Sequence, residues 1–310
     1  MQPVVHVENL VKRYKRAEVN AVDDISFDVA PGELFVLLGP NGAGKTTTIS
    51  ILTTTLAPTS GQVLVAGYNV ATQASAVRQY AGIIFQNPSL DVNLTAEENV
   101  RLHAILYGLH HFAPSFALMP RAYQAQIHTL AEVLGIEKEI FKPIKTFSGG
   151  MKRKLEIIRS LIHRPHVLFL DEPTSGLDPA SRRSLWEYLR QVRAEYQTTI
   201  FLTTHYLEEA EQADRICILN QGRVVANDTP AQVKATLVEN YVLIDAADRA
   251  ALRTELEQRG VRFTETPQFK ITLDSMSAHQ LFKMIDSPLT AVQVHTPTIE
   301  DAYLSILEHK

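Results

Sequence analysis

Short apolar runs alternate with helical patterns up to about residue 235. Several of these runs are continuously apolar, as expected for parallel strands that are covered on both faces. Shorter half-apolar segments near the start, separated by turn signals at Pro31-Gly32 and Ser60-Gly61, predict an antiparallel sheet at the N-terminal edge. The continuous runs are Leu34–Leu38, Ile83–Phe85, Val167–Leu170, Thr199–Leu202 and Ile216–Leu219, and the half-apolar ones are Val4–Leu10, Ile25–Val29 and Val63–Ala66.

Two helix starts carry clear capping signals. Thr95-Ala96-Glu97-Glu98 has the form of a capping box and predicts a helix that continues to Leu106. Asp178 precedes Pro179, which predicts an N-cap followed by a proline in the first turn and a helix that runs to Ala194. These helices lie between the predicted strands, as in an α/β fold.

The pattern changes after Pro230. From Asn240 the order is strand, helix, strand, strand, helix, strand and a final helix, which predicts a small ferredoxin-like module. We therefore expect a first domain at 1–235, with a helical subdomain at about 90–165, and an accessory domain at 240–310. The predicted elements of the second part are Tyr241–Ile244, Arg249–Gln258, Arg262–Thr264, Lys270–Leu273, Ala278–Ile285, Ala291–Val294 and Ile299–Leu307.

Composition excludes several classes of protein. The 310 residues carry 30 basic and 34 acidic side chains, a net charge of −4, so binding of nucleic acid through bulk charge is not expected. A single cysteine excludes an internal disulfide framework and a site of several cysteine ligands. No apolar run approaches the ~18 residues that span a bilayer, and the start of the chain lacks a signal-peptide pattern. We expect a cytoplasmic protein that would need a separate chain for any membrane role.

A glycine-rich motif follows the run Leu34–Leu38 and opens a helical pattern. It fits G-x-x-x-x-G-K-[ST], in which backbone N–H groups and a helix N-terminus surround a phosphate. Lys45 is suited to the terminal phosphates and Thr46 to Mg²⁺. The motif is Gly39-Pro40-Asn41-Gly42-Ala43-Gly44-Lys45-Thr46.

Two adjacent carboxylates end a second buried run. Asp171 and Glu172 follow Val167–Leu170, and parallel sheets bind ligands at the carboxyl ends of their strands. We therefore expect both side chains to face the phosphate-binding loop. Asp171 would hold Mg²⁺, directly or through water, and Glu172 would polarise the attacking water.

With these motifs and three more in order, the chain resembles the nucleotide-binding subunits of ABC transporters over about residues 4–230. The further motifs begin at Phe147, Ser175 and His205. The resemblance implies a P-loop NTPase with a mostly parallel core sheet, an N-terminal antiparallel β subdomain and a helical subdomain. The motifs are Gly39–Thr47, Phe147-Ser148-Gly149-Gly150-Met151, Asp171-Glu172-Pro173, Ser175-Gly176-Leu177-Asp178 and His205.

The resemblance also assigns roles to residues. It implies a homodimer, or a pair with an equivalent subunit, in which each ATP lies between Gly39–Thr47 of one chain and Ser148, Gly149, Gly150 and Asp178 of the other. Gln86 would contact Mg²⁺ and couple to the membrane subunit, and His205 would contact the γ-phosphate. Tyr14 would stack on adenine. Phe147 and Met151 replace the usual Leu and Gln of the signature motif.

A narrower resemblance is to the ATPase subunits of type-2 exporters of the daunorubicin-resistance group. It rests on the tract Met151–Leu155, the compact nucleotide domain and the ending Pro297–Leu304. It implies ATP hydrolysis that drives export through a separate permease at the inner face of the cell membrane. Within the tract, Lys152, Arg153 and Lys154 are expected to form a solvated helix face.

Two other functions remain open at this stage. One is a soluble ABC-type ATPase of translation or DNA repair. About 103 residues separate Lys45 from Ser148, without the heptads of a long coiled coil, which does not favour a repair ATPase. The other is a nucleotide-binding regulator without catalysis, which the pair Asp171-Glu172 does not favour.

Overall fold

The computed structural model describes residues 2–85, 89–237, 240–265, 267–273 and 276–308. Contacts between residues divide the chain into two compact units, one ending at Asp228 and the other beginning at Thr229. Residues 229–235, predicted to close the first domain, thus lie in the second unit. The reason is that the helix Pro230–Leu237 packs against the last helix of the chain.

The first unit contains two sheets and seven α-helices within the described residues. Its strands are β1 (Val5–Lys12), β2 (Val22–Val29), β3 (Leu34–Leu38), β4 (Ser60–Val65), β5 (Tyr68–Asn69), β6 (Ala81–Ile84), β7 (Val167–Asp171), β8 (Thr199–Thr204), β9 (Arg215–Asn220) and β10 (Arg223–Asp228). Its helices are α1 (Lys45–Leu52), α2 (Ala74–Tyr80), α3 (Ala96–Leu106), α4 (Arg121–Val133), α5 (Gly149–Leu161), α6 (Pro179–Tyr196) and α7 (Leu207–Ala210).

The larger sheet has the order β10-β9-β3-β8-β7-β6, and all neighbours are parallel except β10 and β9. All residues of β3, β7 and β8 are buried, which explains their continuously apolar sequences. The order places β8 between β3 and β7. The loops after these three strands therefore emerge side by side at the carboxyl edge of the sheet.

The second sheet of this unit is antiparallel, with the order β2-β1-β4-β5. Stacked rings join it to the larger sheet, since Phe27 of β2 lies 5.3 Å from Phe35 of β3, which in turn lies 5.2 Å from Phe201 of β8. Aromatic pairs at this separation add to the stabilisation from area burial. The predicted antiparallel edge is confirmed as a sheet that shares its core with the parallel strands.

One sequence prediction was wrong in this region, and the bounds of another were shifted. Ser60-Gly61 is not a turn but begins β4, where Gly61 has φ +93° opposite an irregularity in the pairing with β1. A Cβ on Gly61 would lie 2.4 Å from the carbonyl oxygen of Asn9, so glycine here serves close strand packing. The predicted strand Ile83–Phe85 runs instead from Ala81 to Ile84, because its first residues are small and pack against α5.

Helices α3, α4 and α5 form the predicted helical region between β6 and β7. The capping box of α3 is confirmed, since Thr95 accepts a hydrogen bond from the Glu98 N–H and the Glu98 carboxylate accepts one from the Thr95 N–H. Glu97, Arg101 and Tyr123 form a buried polar group that ties α3 to α4.

The second unit contains α8 (Pro230–Leu237) and one four-stranded antiparallel sheet with order β12-β13-β11-β14. With the chain order βαββαβ, this is the predicted ferredoxin-like arrangement. Its core is a separate apolar cluster that includes Val242, Ile244, Leu252 and Phe269. The further elements are β11 (Tyr241–Ala246), α9 (Arg249–Gln258), β12 (Thr264–Glu265), β13 (Phe269–Thr272), α10 (Ala278–Lys283), β14 (Leu289–His295) and α11 (Ile299–Glu308).

Among the described residues, none of the helices combines the length and the apolar character needed to cross a bilayer.

Candidate nucleotide site

The predicted phosphate-binding loop, Gly39 to Thr46, connects β3 to α1. A Cβ on Gly39 would lie 2.4 Å from the carbonyl oxygen of Leu219, so no larger residue fits there. Gly44 has φ +105°, and a Cβ there would lie 2.5 Å from the carbonyl oxygen of Ala21. These two glycines fix the loop tightly against its neighbours and leave the N-terminus of α1 open to an anion.

Lys45 is buried in the first turn of α1. Its ammonium group donates to the carbonyl oxygens of Gly39, at 2.7 Å, and Pro40, at 3.1 Å, and lies 3.9 Å from the Glu172 carboxylate. Burial lowers the pKa of Lys45, and the nearby carboxylates of Glu172 and Asp171 oppose that shift. The loop therefore holds its one cation inward, facing the two acidic residues.

The hydroxyl groups of α1 differ in the hydrogen bonds that they make. Thr48 and Ser50 donate to carbonyl oxygens one turn back, and Thr47 lies 3.3 Å from the Tyr14 hydroxyl. Thr46 is exposed, and its hydroxyl makes no hydrogen bond within the part of the chain that the structure describes. Thr46 is thus the hydroxyl of this helix that remains available to a metal ion, while Tyr14, 46% exposed, lies beside the loop.

Asp171 ends β7 and is buried. The Thr203 hydroxyl, on the neighbouring β8, donates to Asp171 Oδ1 at 2.6 Å and accepts the Glu172 N–H at 3.0 Å. Burial raises the pKa of Asp171, while the hydrogen bond from Thr203 opposes the shift. One hydroxyl group therefore holds the side chain of Asp171 and the backbone of Glu172.

Glu172 begins the segment after β7 with φ +44°, a left-handed conformation that is uncommon for residues other than glycine. Its Oε1 atom lies 3.2 Å from Nδ1 of His205, which follows β8. The same oxygen lies 3.9 Å from Nζ of Lys45. Lys45, Asp171, Glu172 and His205, all predicted from the sequence as site residues, thus meet at the carboxyl edge of the sheet.

The signature segment lies on a different element. Ser148 is the N-cap of α5, and its hydroxyl accepts the N–H of Met151 at 3.3 Å. The helix begins at Gly149, directly after the Ser148 cap. Ser148 and Gly149 are exposed, so their side of the helix N-terminus is open to solvent.

Asp178 lies beside the signature segment as the N-cap of α6. Its carboxylate accepts from the N–H groups of Ala180 and Ser181 and from the Ser181 hydroxyl, and these bonds hold the pKa of Asp178 below its usual range. A Cβ on Gly150 would lie 2.9 Å from Ser181 Oγ. The signature helix and the Asp178 cap therefore form one exposed surface.

Arg153 corrects the expectation of a solvated basic face over Lys152–Lys154. Its side chain is buried and donates to the carbonyl oxygens of Phe85 and Pro173, at 2.6 and 3.0 Å, and to the Glu156 carboxylate, at 3.1 Å. It joins the signature helix to the end of β6 and to the segment after Glu172. Gln86, the predicted Mg²⁺ and coupling residue, lies outside the described residues.

Sequence reasoning missed Thr203 and Arg153 as parts of this site. Thr203 ends an apolar run as a polar residue that is fully buried, and a hydroxyl in that place needs a partner. Arg153 has an acidic residue, Glu156, three positions later on the same helix, which was the available signal for a paired and buried cation.

Known proteins share the sequence features of this site. The sequence pattern of the family described as "ABC transporter" matches residues 22–175. The chain is 37% identical to the Nod factor export ATP-binding protein I of Burkholderia pseudomallei (strain 1710b), over 92% of this chain and 86% of that protein. The chain belongs to the ABC transporter family. It is an ATP-binding subunit and an ATPase of that family.

Other relatives agree with this assignment. The daunorubicin resistance ATP-binding protein DrrA3 of Streptomyces coeruleorubidus is 40% identical over 74% of this chain and 70% of its own length. Among solved structures, the one described as "Structure of ATP binding subunit of ABC transporter" has a TM-score of 0.65 and 31% identity, and covers 75% of this chain and 92% of that one. The dimeric bacterial cassette MJ0796 has a TM-score of 0.65 and 25% identity, over 73% and 98%.

Proposed function

We propose that this chain hydrolyses ATP as one half of a head-to-tail dimer and thereby drives export through a separate membrane permease. The observation that supports this most directly is the split between two polar surfaces. The loop edge gathers Lys45, Asp171 and Glu172 within the fold, whereas the signature N-terminus at Ser148 is exposed. A second copy in the reverse orientation would bring the exposed surface of each chain to the loop edge of the other.

In this proposal the loop residues hold the nucleotide. Backbone N–H groups of Gly39–Thr47 would surround the β- and γ-phosphates, and Lys45 would exchange its carbonyl partners for phosphate oxygens. Tyr14 would stack on the adenine ring. Because Thr46 offers a hydroxyl and Asp171 a carboxylate, the donor set fits Mg²⁺, with Gln86 as the third candidate ligand. The bound ion would neutralise charge on the terminal phosphates.

Glu172 and His205 would then act on the γ-phosphate. The Glu172 carboxylate would orient and polarise a water molecule for in-line attack, since its Oε1 lies within 4 Å of both Lys45 and His205. His205 would donate to a γ-phosphate oxygen as negative charge shifts in the transition state. Catalysis by this set of residues would consist mainly of positioning and charge stabilisation.

The other chain would complete each site. Ser148, Gly149 and Gly150 of the partner subunit would bring the N-terminus of a helix to the γ-phosphate, which is a second anion-binding element. Asp178 lies on the same exposed surface and would contact the opposite chain. ATP would hold the two chains together, and loss of the γ-phosphate contacts would release them.

Mixing two inactive variants tests the shared site. Ser148→Arg should block the surface that closes on nucleotide, and Lys45→Ala should disable the loop, so each homodimer should have little ATPase activity. In a mixed dimer, one site combines an intact Lys45 with an intact Ser148. A 1:1 mixture should therefore regain about a quarter of the wild-type rate, since half of the dimers carry one good site of two. If each chain instead combined its own loop with its own signature segment, mixing would restore nothing and the mixture would be as inactive as its two components.

Export and membrane association belong to the same proposal. Relatives are named for Nod factor export and daunorubicin resistance, which supports an exporter and a position at the inner face of the cell membrane, held there by the permease. Affinity purification of this chain from gently solubilised membranes should recover a polytopic partner. Recovery of the chain entirely from the soluble fraction, with no such partner, would contradict this part of the proposal.

A further inference from the structure

The last strand of the second unit, β14, is an edge strand. It pairs with β11 on one side only, and on the other side its backbone groups meet no strand within the described residues. It has seven residues, whereas β12, at the opposite edge of the same sheet, has two. A long edge strand is a template for pairing with another strand.

The side chains of β14 do not protect this edge. Val292 and Val294 pair opposite Ile244 and Val242, which are buried, yet they are themselves 50% and 48% exposed. The strand contains no Asp, Glu, Lys or Arg, the residues that usually discourage pairing at an edge. The apolar face of the sheet thus continues past its covered centre to an open border.

The opposite edge shows the contrast. Glu265 of β12 forms ion pairs with Arg249 and Arg253, so charged groups stand beside that short strand. In the first unit, the edge strand β10 likewise carries charged residues at both ends, Arg223 and Asp228. Beside β14, the one such contact among the described residues is at its end, where His295 lies 3.2 Å from Asp301, and the centre of the strand around Val292 carries no charged side chain.

We propose that β14 pairs with β14 of a second copy of this chain, antiparallel and across a two-fold axis, to form a continuous eight-stranded sheet. The argument for a second copy is that the strand complements itself. Centred on Val292, the pairing places Val292 against Val292, Thr290 against Val294 and Ala291 against Gln293, so no like charges meet. Each strand would cover the exposed valines of the other and satisfy the backbone groups of the free edge.

This contact does not require nucleotide. It is therefore distinct from the ATP-dependent pairing proposed above, and either can fail without the other. A contact through one strand is smaller than a standard interface, so we expect a dissociation constant of about 1–100 μM. Because the contact is two-fold, it closes into a pair and does not propagate into a filament.

Sedimentation of the full chain without nucleotide tests the proposal. Wild-type protein should shift from monomer to dimer over the stated concentration range, and Val292→Lys should weaken the dimer about tenfold or more, because two like charges would meet at its centre. Val225→Lys is the matched control, since Val225 is an edge-strand valine of similar exposure, 44%, and should leave the dimer unchanged. A wild-type monomer at about 200 μM, or a Val292→Lys dimer as tight as wild type, would overturn the proposal.

A cysteine at the proposed axis gives a second, independent measurement. The one native cysteine, Cys217, is fully buried and burial raises the pKa of its thiol, so it should not react. Val292→Cys should form a disulfide-linked dimer under mild oxidation without nucleotide, because directly paired residues lie within disulfide range. Val225→Cys should stay monomeric under the same conditions. Equal cross-linking of the two variants would show random collision and contradict the specific pairing.

Discussion

The loop edge and the signature surface of the first unit both present a helix N-terminus, but they satisfy their polar groups differently. At the loop edge, Lys45 is buried and already bonded to carbonyl oxygens, and Thr203 holds Asp171. At the signature surface, Ser148 and Asp178 satisfy only their own helix caps and face solvent. The comparison teaches that the loop edge is organised before any ligand arrives, whereas the signature surface is left exposed, as the proposed dimer requires.

The largest expected effect separates chemistry from binding at the loop edge. Glu172→Gln removes the charge that polarises water but keeps the side-chain shape, so turnover should fall about 10²–10³-fold while ATP binding persists. ATP-dependent dimers should accumulate, as measured by sedimentation with Mg·ATP. Glu208→Gln, an exposed change on α7, is the control and should have no effect. An unimpaired rate in Glu172→Gln would remove this residue from the mechanism.

The next effect tests whether the buried cation serves the ligand. Lys45→Ala should weaken ATP binding about 10–100-fold, because a charge-assisted bond to phosphate is lost in a desolvated site. Isothermal titration calorimetry gives the affinity directly. Lys145→Ala removes the same charge from an exposed position and should bind ATP normally. Undiminished affinity in Lys45→Ala would mean that the lysine is held only for the fold.

Thr203 offers a smaller and sharper test, since it positions two carboxylates without touching the ligand in our scheme. Thr203→Val should lower turnover about 5–10-fold and raise the Mg²⁺ concentration needed for half-maximal rate, as Asp171 loses its hydrogen bond. Thr199→Val is the control at the other end of β8, where the hydroxyl accepts the Gly32 N–H. It should cost about 1 kcal/mol of stability but leave the Mg²⁺ dependence unchanged. If turnover and its Mg²⁺ dependence were the same in both variants, Thr203 would have only a structural role.

The smallest effect is a change of stability with pH in the absence of ligand. Burial raises the pKa of Asp171, so the carboxyl group binds its proton more tightly in the folded chain than in the unfolded chain. The protonated carboxyl group therefore stabilises the fold at low pH, and this stabilisation is lost as pH rises through the folded pKa. Asp171→Asn stays neutral and should melt about 2–4 °C above wild type near pH 8. The difference in melting temperature between Asp171→Asn and wild type should become smaller as pH falls towards the usual pKa of a carboxyl group. Differential scanning calorimetry across pH measures it.

Asp178 supplies the control of opposite sign. Its pKa is lowered by the hydrogen bonds of the helix cap, so its contribution is present above the unfolded pKa and disappears as pH falls through the folded pKa. Asp178→Asn should therefore melt below wild type near pH 8. If both variants shifted in the same direction, the contrast between a ligand-ready edge and a capped surface would be wrong.

Local signals in the sequence predicted much of this arrangement. The caps at Thr95 and Asp178 depend on side chains within three residues of the helix start, and both appear as predicted. The continuous apolar runs predicted the buried strands, with small errors at their ends. The loop glycines and the acidic pair were predicted as neighbours because a parallel sheet brings its carboxyl ends together.

The errors concern contacts between distant parts of the chain. Arg153 resembles a surface residue because its neighbours on the helix are basic, and only folding brings the carbonyl oxygens of Phe85 and Pro173 to it. Gly61 resembles a turn residue until the approach of Asn9 explains it. Thr203 gained its role from β7, which lies far from it in sequence. Periodicity carries no information about such partners.

The backbone of Glu172 has a consequence for how this chain would respond to selection in the laboratory. Its left-handed conformation costs a residue with a side chain on the order of 1 kcal/mol, a cost that glycine would avoid. A library screened only for resistance to heat should therefore enrich glycine at this position, whereas a library screened for transport should reject it. Opposite enrichment in the two libraries would show that the residue at this position lowers thermal stability and is needed for activity.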